Sequence, residues 1–231
     1  MSNAESGSAA GGAGSTRVLF VYYTLSQQAA RVSKAMTDTL TAAGCEVTEA
    51  VIEFTDPRYK KSFDHFPWPD AFTRLLRMLP AQLRRATGEI GVPPSANSGD
   101  YDLVIIGSPT WWLTTNMPIR SYLESPEGKT TLRGTPYASY VVCRRYWGNN
   151  QKTVKRLGTV AGGRYIDGIH FAYEGGQVRS LLSLISYMKT GENKDKFLGV
   201  KIPPTNLQDG FEDQSAAFAT GLVAKLAKPA G

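Results

Sequence analysis

Three short stretches of this chain concentrate side chains able to hold an anion and a flat ring. They are Tyr23-Thr24-Leu25-Ser26-Gln27-Gln28-Ala29, Ser108-Pro109-Thr110-Trp111-Trp112-Leu113-Thr114-Thr115-Asn116 and Arg144-Arg145-Tyr146-Trp147-Gly148-Asn149-Asn150. The first runs straight into a helical pattern, and the opening amides of a helix have no partner inside it. The amides of Ser26 to Ala29, with the hydroxyls of Thr24 and Ser26, would form a phosphate cradle favoured by the helix dipole. The same residues also satisfy a capping box, Thr24 with Gln27 in the T-x-x-Q pattern. In the second stretch the adjacent Trp111 and Trp112, with Pro109 and Thr110, are placed to wall a heteroaromatic ring or else to anchor the core. The third adds Tyr146 and Trp147 as further ring partners, and Gly148 would let backbone amides approach closely. Arg144 and Arg145 either steady negative charge on a ring or phosphate, or are surface charge.

Each stretch follows a run that reads as a buried strand: Arg17 to Tyr22 (RVLFVY), Asp102 to Gly107 (DLVIIG) and Tyr137 to Cys143. Continuous apolar, β-branched and aromatic runs suit strands covered on both faces. Cys45 to Phe54 and Arg164 to Tyr173 read as two more. Between them Leu25, Ala29, Val32, Met36, Leu40 and Ala43 recur at helical spacing until Gly44. Shorter helices fit Pro118 to Leu123 and Asn149 to Ala161, and a last one fits Asp213 to Leu226. Alternating strands and helices imply a parallel sheet with right-handed crossovers, here five strands in the order 2-1-3-4-5. Ligands bind such sheets outside the carboxyl ends of the strands, where the strand order reverses.

Two segments exceed that minimal plan. The first, 56–97, holds Phe63, Phe66 and Trp68, then a helix from about Asp70 with Phe72, Leu75, Leu76, Leu79 and Leu83 inward and Pro80 kinking or dividing it. The second, 174–204, holds Val178, Leu181, Leu182, Leu184, Ile185 and Met188, apolar enough to need covering. Both begin at the ligand edge, so they read as extra packing or as apolar lids over a greasy or aromatic substrate.

Composition narrows the class. The 231 residues, 42% hydrophobic, allow one domain over 17–231 with a sizeable core. Residues 1–16, nearly all Gly, Ala and Ser, read as a disordered leader without the order of a signal peptide. No apolar run approaches the about 20 residues that span a bilayer, which places the protein in the cytoplasm. The net charge of +6 favours anionic partners. Neither a zinc-finger spacing nor an RNA-binding aromatic motif accompanies the arginines, so nucleic acid is not expected. Cys45 and Cys143 form no CxxC pair and read as packed thiols. His65 and His170 lack a cluster of metal ligands around them, so no metal is expected. GxGxxG, GxxxxGK[ST] and GxSxG are all absent, which argues against a dinucleotide Rossmann site, a nucleotide triphosphatase and a serine hydrolase.

VLFVYYTLSQQA resembles the first strand and phosphate loop of the flavodoxin-like FMN-binding family, and YDLVIIGSPTWWLTTNMPIRSYLE resembles its third strand and ring-binding loop. The strand ending at Cys143 leads into the last loop, and the resemblance runs over about 17–226. It implies a flavodoxin-like three-layer α/β sandwich. Carried over by position, Thr24, Ser26, Gln27, Gln28 and Ala29 would hold the FMN phosphate, and Pro109, Thr110, Trp111, Trp112 and Leu113 would contact the isoalloxazine. Leu25, Ser108, Cys143, Arg144, Tyr146, Trp147 and Gly148 complete the candidate cofactor site. The family's phosphate loop is Ser/Thr-x-Thr-Gly-x-Thr, and here Gln27 stands for the glycine and Ala29 for the last threonine, a departure that weakens or removes phosphate affinity.

FPWPD at Phe66 to Asp70 and CRRYW at Cys143 to Trp147 resemble a subgroup labelled dialkylresorcinol-condensing or NAD(P)H-oxidoreductase-like, which implies a large hydrophobic substrate. The expected function is an FMN-dependent oxidoreductase passing electrons from NAD(P)H to an apolar or quinone-like acceptor, with no catalytic side chain required. An electron carrier without a small substrate and a cofactor-free accessory or cyclase protein of the same fold are the alternatives. Homo-oligomerisation is left open.

Overall fold

The computed structural model describes residues 15–59, 63, 65–173, 175–205 and 207–227. The predicted leader therefore lies almost wholly outside the described residues. Strand β1 (Arg17–Tyr22) lies in a parallel sheet between β2 (Glu46–Val51) and β5 (Leu103–Trp111), the central strand, and β7 (Pro136–Cys143) and β8 (Arg164–Ala172) extend it beyond β5. Counting only these five strands in chain order, the arrangement is 2-1-3-4-5, as expected, and the order reverses between β1 and β5.

Alternation along β1 explains the layers. Leu19 and Val21 pack with Val104 and Ile106 on one face, under Ile119, Tyr122, Val154 and Leu157 of helices α3 (Met117–Glu124) and α5 (Trp147–Val160). Val18 and Phe20 pack with Leu103 and Ile105 on the other, under α1 (Gln28–Ala42) and α7 (Phe211–Leu226) through Val32, Met36, Leu40, Ala219 and Leu222. Both faces are covered, so the strands are apolar throughout. A short helix α4 (Pro126–Leu132) leads into β7.

Three expectations need correction. The strand read over Cys45 to Phe54 is divided at Ile52: β3 (Glu53–Phe54) leaves the main sheet and pairs antiparallel with β4 (Ile90–Gly91), which carries the Phe54 ring to Tyr59 and Phe63. Helix α2 (Ala71–Leu83) runs continuously through Pro80, which lies on its exposed side. Its inward stripe is Ala71, Leu75, Met78 and Gln82, whereas Phe72, Leu76 and Leu83 point outward.

Helix α6 (Gln177–Thr190) departs from expectation in the same way. Its buried face holds Met188, as expected, but otherwise Ser180, Ser183 and Ser186; Ser180 meets Arg144, and Ser183 bonds the Pro203 carbonyl (2.5 Å) and the Thr205 hydroxyl. Small side chains bring this helix close to the 203–205 backbone and leave Val178 and Leu181 exposed. A hairpin of β9 (Lys196–Phe197) and β10 (Val200–Lys201) follows. Among the described residues, no helix is long and apolar enough to cross a membrane.

Candidate functional site

The chain leaves β1 through buried Tyr23 and enters α1 at Gln28, with Gln27 as the N-cap in the left-handed region (φ 63°). Since the cap falls on Gln27, three residues after Thr24, the Thr24/Gln27 capping box does not form, and no cap side chain covers the first-turn amides. The Thr24 hydroxyl is buried and has no hydrogen-bond partner. An orphaned hydroxyl thus shares one turn with uncovered amides, where the strand order reverses. Ser26 is half-buried and Gln27 exposed beside it.

The turn is held from three sides. Gln28 is buried; its side-chain Nε2 donates to the Tyr187 hydroxyl on α6 (3.2 Å), while its side-chain Oε1 accepts from the Leu207 amide (3.3 Å). The Ala29 carbonyl accepts from the Tyr140 hydroxyl (3.1 Å), whose ring passes over Gly107; a Cβ there would come within 2.2 Å of it. Leu25 turns into the cluster of Trp68, Met188 and Leu184 contributed by the 56–97 and 174–204 segments.

Most of the second stretch is strand rather than loop. β5 continues to Trp111, because Thr114 and Thr115 (β6) fold back and pair with Trp111 and Thr110. The hairpin turns at Trp112 (φ 56°) and exposed Leu113. At its root the Ser108 hydroxyl donates to Asn150 Oδ1 (2.9 Å), accepts from Asn116 Nδ2 (3.2 Å) and lies 2.6 Å from the Thr115 hydroxyl. Asn150 Nδ2 donates to the Ser108 carbonyl (3.0 Å) and to Thr110 Oγ1 (2.9 Å), and Asn116 binds the Pro109 carbonyl and caps α3 at the Ile119 amide. Ser108, Pro109 and Thr110 are therefore committed to a satisfied internal network.

The tryptophans also have protein partners. Trp111 stacks on Phe63 with ring centres 4.6 Å apart and meets Tyr23 edge-on at 5.5 Å; the Trp112 indole donates to the Leu75 carbonyl (3.1 Å). Both face the 56–97 segment, which fills the place where sequence reasoning set a ring against them.

In the third stretch, Cys143 is buried beside Thr110, and burial pushes its thiol up to about 12. Arg144 is half-buried, its guanidinium pushed below the usual arginine range by desolvation, and donates to the Gln177 carbonyl (3.1 Å) and Ser180 Oγ (2.9 Å) on α6. Tyr146 is the left-handed N-cap of α5 (φ 63°), and Trp147 stacks on His170 at 3.7 Å, where burial lowers the histidine pKa. Tyr146, Trp147 and Leu113 keep exposed surface, and the space around Gly148 is open.

This fold recurs in solved structures. A flavoprotein from Lactobacillus acidophilus NCFM, solved in complex with FMN, aligns with a TM-score of 0.51 and 16% identity over 68% of this chain and 93% of its own. A flavodoxin from the domain Archaea aligns with a TM-score of 0.50 and 8% identity over 92% of this chain and 100% of its own. The fold is that of the flavodoxins. No protein-family model matches the chain, and no curated protein matches it significantly.

On this flavodoxin fold the three predicted stretches do lie at the carboxyl ends of β1, β5 and β7. The unengaged groups among them are the Thr24 hydroxyl, the first-turn amides of α1 and the rim of Leu113, Tyr146 and Trp147. Phe63 was expected in a segment that begins at the ligand edge, but nothing local in the sequence marked Tyr140 and Tyr187 as neighbours of the site.

Proposed function

We propose that this flavodoxin-fold protein binds FMN and passes electrons from NAD(P)H to an apolar or quinone-like acceptor. The observation that carries the reading is the buried, partnerless hydroxyl of Thr24 beside the uncovered start of α1. An unpaired buried hydroxyl costs about 1–3 kcal/mol, and a phosphate oxygen there would offset that cost. Thr24, Ser26 and the backbone of Gln27, Gln28 and Ala29 would hold the phosphate without needing the family's glycine, since Gln27 already adopts the left-handed conformation in which glycine is common.

The ring would lie against exposed Leu113 of the hairpin turn and the third loop at Tyr146, Trp147 and Gly148. Trp111 would support that wall from behind through Phe63. When bound, FMN supplies hydride and electron acceptance. The protein's part is to anchor, orient and exclude water, with no side chain needed as acid or base. NAD(P)H as reductant makes the cytoplasm the compartment that this reading implies.

The test is equilibrium titration of the purified full-length protein with FMN and with riboflavin, followed by anaerobic addition of NADPH. FMN should bind more tightly than riboflavin, and the bound flavin should bleach. Equal affinity for the two would overturn the phosphate site. A carrier reading is kept in view by the exposed Leu113, Tyr146 and Trp147, which could meet a protein partner; bleaching by NADPH with no partner present decides for the enzyme.

A further inference from the structure

Helix α2 carries two apolar stripes. Ala71, Leu75, Met78 and Gln82 face the protein, and Phe72, Leu76 and Leu83 face outward, with half-buried Leu79 between the two stripes. Phe72 is 58% exposed and Leu83 63% exposed. Across a groove of about 330 Å³, Phe72 meets Leu182, Ile185 and Lys189 of α6 and Phe197 and Leu198 of the β9–β10 hairpin. Val178, one turn before Leu182, is 69% exposed. The result is a continuous apolar platform built from both segments that exceed the minimal fold, and patches of this kind mark interaction sites.

The hairpin identifies the partner's chemistry. Leu198 and Gly199 both turn through positive φ (50° and 77°), the pattern of a tight two-residue turn usually filled by Asn-Gly or Asp-Gly. A leucine there is sterically disfavoured, and it holds its side chain 79% exposed at the tip. Behind it Lys196 and Lys201 stand directly opposite each other, a cross-strand pair of like charge that destabilises an isolated hairpin.

Lys189, which lines the groove itself, carries the same sign. Residues 56–97 hold seven lysines and arginines against four acids, and residues 174–204 hold five against three, so these two segments account for five of the six net positive charges. The one acid lining the groove, Asp70, is paired with Arg74 at 2.6 Å.

We infer that this face docks on an anionic lipid bilayer, with Phe72, Leu76 and Leu198 entering the headgroup and acyl boundary and Lys189, Lys196 and Lys201 contacting acidic headgroups. An apolar centre flanked by lysines is the composition of an interfacial membrane anchor, and each basic residue near an anionic surface contributes about 1 kcal/mol. A second copy of the chain would bring the same lysines against themselves. The inference is independent of the flavin.

The test is co-sedimentation of the full-length protein with vesicles of phosphatidylcholine alone and of phosphatidylcholine mixed with phosphatidylglycerol, at low and high salt. Binding is expected on the anionic vesicles only. It should weaken at least about tenfold in Phe72→Ser/Leu198→Ser and in Lys196→Glu/Lys201→Glu, and should fall with salt. Circular dichroism would verify that both variants fold.

Absence of binding, equal binding to neutral vesicles, or binding unchanged in Phe72→Ser/Leu198→Ser would overturn the inference. So would a dimer in light scattering that dissociates in that variant, since the platform would then be a self-association surface.

Discussion

Gln28, the first residue of α1, donates from Nε2 to the hydroxyl of Tyr187 at 3.2 Å and so ties the turn after β1 to the helix of the 174–204 segment. The two residues are 159 positions apart in the chain. Any motion of α6 away from the sheet edge must break this bond or drag the turn with it.

Tyr187→Phe should therefore loosen the roof without removing it. The buried Gln28 amide loses its partner, which should lower stability by about 1–2 kcal/mol in urea denaturation. Flavin release, followed by stopped-flow fluorescence, should speed up severalfold. An unchanged release rate would mean that α6 does not gate the site.

Thr24→Val separates a cradle from a packing defect. The partnerless hydroxyl contributes nothing to the apoprotein, so the variant should be as stable as wild type or up to about 1 kcal/mol more stable. Its affinity for FMN should fall about tenfold while riboflavin binding stays the same. Ser26→Asp should repel the phosphate and abolish FMN binding while leaving the circular dichroism spectrum intact. Should Ser26→Asp keep normal FMN occupancy, the phosphate assignment is wrong.

Asn150→Leu should be among the costly single substitutions. It removes the Asn150 bonds to the Ser108 carbonyl and Thr110 and one of three to the Ser108 hydroxyl, for an expected loss of about 2–4 kcal/mol measured by urea denaturation. A loss below about 1 kcal/mol would show that water replaces these bonds.

Asp56 sets an acid limit on stability. Its buried carboxylate accepts from the Arg58 guanidinium and amide and from the Glu89 amide, and these bonds, the Arg58 side chain foremost, lower its pKa to about 2. Because the folded value lies below the ordinary carboxylate value of about 4, the contribution is complete above that pH and is lost as pH falls towards 2. Asp56→Asn should cost roughly 1–2 kcal/mol at neutral pH, discounted for the exposed Arg58, and the gap in melting temperature should close between about pH 4 and pH 2. A gap independent of pH would contradict the charge-based account.

Much of the architecture was legible because it is local. RVLFVY became β1 over the residues expected, and the strand ending at Cys143 was placed to within one residue, since a strand buried on both faces is a continuous apolar run. The three stretches were correctly placed after these strands, as topology requires. Misreadings arose where a distant segment competed for a surface. Trp111 and Trp112 read as ring walls, but Phe63 and the Leu75 carbonyl reach them first. The capping box was a valid local pattern, and the chain began its helix three residues later.

By itself the sequence determined which residues form strands and helices, the order in which they alternate and the polar turn after β1, because side-chain periodicity and chain connectivity are properties of neighbouring residues. Only the tertiary structure decided which of two competing faces is buried on α2 and α6 and that the Thr24 hydroxyl is left without a partner. Leucines and serines on α6 could each have turned inward. The choice fell to Arg144, Pro203 and Thr205, whose polar groups, once buried, need the hydrogen bonds that serines supply and leucines do not.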